Sequence, residues 1–64
     1  GEVMQKEDIT TVVYIILADG SKTSVRVTTL DGVVNFVPMN EENSDYIEVL
    51  AWEAIDGNTI SDPD

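Results

Sequence analysis

The segment Ile9 to Ala18 (ITTVVYIILA) is apolar on both of its alternating sides. Val, Ile, Tyr and Thr dominate it, the residues that suit a pleated surface. Read as a strand, it turns Val12, Tyr14 and Ile16 one way and Val13, Ile15 and Leu17 the other. A strand buried on only one side alternates apolar with polar residues, and this one does not. Whatever the chain folds into has to shelter two faces of this strand.

The rest of the chain offers little to do it with. At 64 residues there is one domain at most. A chain of that size buries only about 60% of the surface its unfolded form exposes, so its core is marginal. Small scaffolds recover stability from disulfides, metals or association. No cysteine is present, which removes disulfides and thiolate metal sites, and no histidine, which removes a frequent metal ligand and general base. Association remains.

Turn residues divide the chain beyond Ala18. Asp19-Gly20-Ser21-Lys22 ends the first strand, and Thr23 to Leu30 forms a second, with Val25 and Val27 alternating with Arg26 and Thr28. Asp31-Gly32 suits a two-residue type I′ turn, whose two positions both need positive φ. Val33 to Val37 is the third strand, and Pro38 ends it by removing a ladder donor. Asn40, Asn43 or Ser44 can cap a helix whose body runs from Asp45 to Ile55, with Glu41, Glu42 and Asp45 as early acids. Gly57 is its C-terminal stop. The expected fold class is α+β: a three-stranded antiparallel meander with one C-terminal helix on one face (β-β-β-α). Its parts are a loose arm over residues 1–8 with Val3 and Met4 as docking points, a meander over 9–38, a helix and cap over 40–57, and an acidic tail over 58–64.

Register decides which residues meet. A two-residue Asp31-Gly32 turn pairs Leu30 with Val33 and sets Val27 opposite Phe36. A first loop of two or four residues puts Val12, Tyr14 and Ile16 on one face with Val25, Val27, Val34 and Phe36, whereas three residues would flip strand one. At about 100° per residue, Tyr46, Ile47, Leu50 and Ala54 form the helix stripe that covers this face, with Ala51 at its edge. Val13, Ile15 and Leu17 then share the other face with Arg26, Thr28, Leu30, Val33, Asn35 and Val37. Burying three such side chains is worth roughly 1.5–3 kcal/mol each, so something should cover them. Association with another copy or a partner is expected, against the alternative that the chain's own ends fold over them. Val49 and Trp52 fall outside the stripe. Trp52 is an interface anchor or packs on the tail near Ile60. The interface candidates are therefore Val13, Ile15, Leu17, Val33, Val37, Val49 and Trp52.

Charge narrows the partners. The net charge is −10, and the only basic residues are Lys6, Lys22 and Arg26. Three scattered cations cannot assemble a phosphate-binding patch, so neither nucleic acid nor an anionic membrane is an expected partner. The longest apolar run, Val12 to Ala18, is seven residues, short of the roughly 20 of a membrane-spanning helix. No basic segment precedes it as in a signal peptide. No catalytic residue, cofactor site or metal site is expected. The serines lack a base, there is no glycine-rich phosphate cradle, and Glu41, Glu42, Asp45 and Glu48 fit a solvated helix start better than paired catalysis. Asp56, Asn58, Asp62 and Asp64 lack calcium-loop spacing. An acidic chain could also mimic DNA, an alternative that needs carboxylates in phosphate-like rows.

The last third carries a resemblance. Pro38, Asn43, Asp45, Tyr46, Leu50-Ala51-Trp52, Gly57-Asn58-Thr59 and Asp62-Pro63 resemble a pattern in small phage proteins, often associated with tails or tail fibres. Glu41 and Ile60 depart from it, each standing where a proline is common. The resemblance implies a non-enzymatic, phage-encoded structural or assembly accessory protein. Its expected partners are its own copies and other phage structural proteins, in the virion or the host cytoplasm. Without a phage origin, the expected location is cytoplasmic.

Overall fold

A computed structural model describes residues 4–63. A single turn of 3₁₀ helix (Lys6–Asp8) leads into β1 (Ile9–Ile16), β2 (Lys22–Thr29), β3 (Val34–Pro38) and the helix α1 (Ser44–Glu53). The strands form one antiparallel sheet in the order β1-β2-β3. The fold is the expected α+β meander with one C-terminal helix.

Both hairpins turn on the same three-residue device. Ala18-Asp19-Gly20 and Leu30-Asp31-Gly32 are the two loops. In each, the glycine amide bonds back across the turn, Gly20 to the Leu17 carbonyl and Gly32 to the Thr29 carbonyl. The closing pairs are Leu17 N–H to Ser21 O at 2.9 Å and Thr29 N–H to Val33 O at 3.0 Å. Gly20 at φ 88° and Gly32 at φ 82° occupy the left-handed position that comes after a type I turn in such loops. The aspartate braces the loop from inside, since Asp19 accepts from the Ser21 amide and hydroxyl and Asp31 from the Val33 amide and Thr29 hydroxyl. These hydrogen bonds hold both carboxyls below their ordinary pKa.

The third loop residue slips the pairing by one, and a one-residue slip turns a strand over. Between β2 and β3 the slip stands. Val27 pairs with Asn35 and Val25 with Val37, so Val37 is buried, while Val34 and Phe36 point away from the helix, 46% and 71% exposed. This corrects the expected pairing of Val27 with Phe36. Between β1 and β2 an irregularity at Ile15/Ile16 cancels the slip, and Val12 pairs with Val27 and Tyr14 with Val25, which keeps these four on the expected common face. A second irregularity at Ile9/Thr11 brings Ile9 into the core beside Val12.

Asn43 caps α1, its side-chain oxygen accepting from the Asp45 and Tyr46 amides at 2.9 and 3.1 Å. The helix buries Tyr46, Val49 and Trp52, whereas Ile47 is 49% exposed. The expected stripe of Tyr46, Ile47, Leu50 and Ala54 is therefore rotated. The helix packs on the sheet and on the segments flanking the fold, and Trp52, the largest side chain, lies in the same cluster as Ile60 of the tail. The core is Ile9, Val12, Val25, Val27, Val37, Tyr46, Val49, Trp52 and Ile60, with Met4, Tyr14, Met39 and Leu50 against it. Within the arm, the segment from Met4 is held to the helix: Met4 N–H donates to Asp45 Oδ1 and Lys6 N–H to Glu48 Oε1. Val3 lies outside the described residues.

Mutation and titration both test this register. Val37→Ala should cost about 2 kcal/mol in denaturant unfolding of dilute protein, while Phe36→Ala should stay within about 0.5 kcal/mol. The reverse order would restore the two-residue turn. In an NMR pH titration, Asp19 and Asp31 should ionise below a model aspartate. A lowered native pKa means their contribution is complete above the ordinary carboxylate range and lost as pH falls through the lowered value. Ordinary titration of both would remove the brace.

Candidate docking surface

The sheet face turned away from α1 is built from three cross-strand rows. Thr11 pairs with Thr28 and Thr28 with Val34. Val13 pairs with Arg26 and Arg26 with Phe36. Ile15 pairs with Ser24 and Ser24 with Pro38. The apolar members sit on the two outer strands, and the central strand contributes hydroxyls and one guanidinium. Arg26 is exposed and makes no ion pair among the described residues. A shallow groove runs between Val13, Ile15, Arg26 and Phe36, with Pro63 at its side.

The tail reaches the flank of this face but does not close it. Ile60 is buried, and Ser61 forms a parallel bridge with Val13. The Tyr14 amide donates to the Ser61 carbonyl at 2.9 Å, and the Ser61 amide to the Val12 carbonyl at 3.0 Å. Lys22 reaches Asp62 at 3.2 Å and sits 4.5 Å from the centre of the Tyr14 ring. Both partners of that ion pair are solvated, so it adds little stability. The backbone bonds and Ile60 hold the tail. Pro63 then lies beside Val13 and Ile15, both half-buried, and Val34 and Phe36 stay open.

The expected interface residues separate under this geometry. Val13 and Ile15 lie on the open face. Leu17, 47% exposed, stands at the start of the β1–β2 turn. Val33, 48% exposed, borders a polar cleft with Met4, Asp8, Leu30, Asn35 and Asp45 on the other side of the sheet. Val37, Val49 and Trp52 are core residues at 2%, 0% and 6% exposure, which corrects their assignment as contacts for a partner. Val34, Phe36, Pro38 and Pro63 were not among the candidates. The signal for the first three is the repeated apolar-Asp-Gly triplet, which fits a three-residue loop as well as a two-residue one.

The carboxylates do not converge: no cluster with metal-ligating geometry occurs among the described residues. No helix among them is long and apolar enough to cross a membrane. Comparison with known proteins gave no matching family model, curated protein or solved structure. Fold and surface together define a small α+β domain with one sheet face roofed by a helix and the other open.

The tail contact is directly measurable. Ser61→Pro removes the donor to Val12 and should cost about 0.5–1.5 kcal/mol. Hydrogen exchange should show the Tyr14 amide losing protection while the β2 amides keep theirs. Unchanged protection at Tyr14 would mean the tail does not pair with β1.

Proposed function

We propose that this chain acts by contact with proteins, without chemistry of its own, and that the open sheet face is where it docks, first of all onto a second copy of itself. The supporting observation is the exposure of Phe36 and Val34 on the same face as Val13 and Ile15, across Arg26 and Thr28 of the central strand. Exposed apolar side chains gathered on one face favour an interaction site over scattered surface residues. A phage structural or assembly accessory role, in the particle or the host cytoplasm, is the setting favoured by the resemblance of the C-terminal third. In that segment Asn43 caps the helix, Trp52 fills the core, and the Asn58 side chain donates to the Trp52 carbonyl at 3.0 Å. The shared residues thus serve the fold, and the contact surface lies in the strands, where this chain has its own sequence.

Light scattering across a concentration series tests the reading. Wild type should rise above the 7.0 kDa monomer mass with concentration, and Phe36→Asp should remain monomeric with an unchanged circular dichroism spectrum. Copies carrying −10 each repel, so raising salt should strengthen association by screening. A basic partner would show the opposite salt dependence. Wild type that stays monomeric at every concentration and salt refutes self-docking.

A further inference from the structure

The two edges of the sheet differ. On β1, Ser61 occupies the outer edge, so a new strand there would have to displace the tail. The outer edge of β3 has no such cover. Thr29 bonds to Val33 and Met39 to Thr23 at the two ends of the β2–β3 ladder. In an antiparallel ladder the inward-bonded residues alternate, so Val33, Asn35, Val37 and Met39 face β2. The backbone N–H and C=O of Val34 and Phe36 then point outward, and no backbone bond joins them to another segment among the described residues. At the next outward position Pro38 has no N–H, and its carbonyl is taken by the Asn40 amide at 2.8 Å. The open edge is therefore two residues long and closed at its C-terminal end.

We propose that two copies join along β3, antiparallel, about a two-fold axis at Asn35, fusing two three-stranded sheets into one of six strands. This rests on the self-association reading above and places the contact at the β3 rim of the open face instead of across it. With Asn35 opposite Asn35, Val34 lies opposite the partner's Phe36 and Phe36 opposite the partner's Val34. Each of these pairs exchanges both of its hydrogen bonds, which uses every outward group of Val34 and Phe36. Moving the register would set Pro38 or the Gly32 turn against these groups and leave some unpaired. On the open face each Phe36 ring lies next to the partner's Val34, a favourable aromatic–branched pair. On the other face the two Asn35 amides meet, each with donors and an acceptor.

Charge permits the same strand, as it would the tail-covered β1. Val34–Pro38 carries no charged side chain, while all 13 acids lie elsewhere in the chain. Two copies of an anionic chain approach with least repulsion where neither presents a carboxylate. A second copy is thus an occupant that matches this edge in length, hydrogen bonding and charge.

Single-cysteine variants of a chain that has no cysteine give a direct test. At a non-hydrogen-bonded antiparallel pair the Cα atoms are about 4.5 Å apart, within reach of a disulfide. In glutathione redox buffer, Asn35→Cys should become mainly a disulfide-linked dimer. Thr11→Cys, exposed on the far strand of the open face, should form no disulfide-linked dimer. Val34→Pro removes one outward donor at an edge position where proline is tolerated, and it should abolish association while the circular dichroism spectrum stays folded. If wild type associates but Asn35→Cys does not cross-link, or Thr11→Cys cross-links instead, the edge pairing is wrong and face-to-face docking stands. If wild type is monomeric and Asn35→Cys remains a thiol, both fail together.

Discussion

The organisation of this protein depends on how two short turns count residues. A loop with aspartate in its middle and glycine at its left-handed position closes on the residue before it, so the strands it joins meet one position out of step with a two-residue turn. Side chains alternate faces along a strand, so this step decides which side of β3 is inside. After the Leu30-Asp31-Gly32 loop it sends Val37 into the core and Phe36 into solvent. After Ala18-Asp19-Gly20 the irregularity at Ile15/Ile16 absorbs it. One device used twice, compensated once, gives a roofed face lined by valines and an open face edged with apolar side chains.

The second constraint is scarcity of cover. Ten helical residues roof one face, and the segments around Met4 and Ile60 extend that roof. The N-terminal segment is fastened to Asp45 and Glu48 through its backbone, and Met4 packs on the core. The tail places Ile60 in the core and Ser61 on the edge of β1. Trp52 is buried in the same cluster as Ile60, so the tail supplies part of its cover. What remains uncovered is the far face and the β3 edge. An open strand edge is a template for pairing, and here it is short and ended by Pro38.

Much of the architecture was legible in the chain. The order β-β-β-α came from turn residues and from the change in apolar spacing. Asn43 was one of three possible caps, and the two-sided character of β1 was visible in its own residues. The open face was legible only on that strand, where Val13 and Ile15 do lie on it. Phe36 and Val34 were misplaced together, because Asp-Gly fits two loop lengths and the choice inverts every residue of β3. Val49 and Trp52 were misplaced because helical spacing gives the relative angles of side chains and not the absolute direction of the core.

The sequence by itself determined the kinds of element, their order, the absence of thiol and imidazole chemistry, and an excess of apolar surface over what one helix can roof. Those properties are local or compositional, so they survive without knowledge of neighbours. Tertiary structure decided the rotation of α1, the docking of the segments around Met4 and Ile60, and the side of the sheet on which β3 presents its aromatic ring. Each of these balances alternatives that local preference leaves nearly equal, and burial of particular side chains against distant ones breaks the tie.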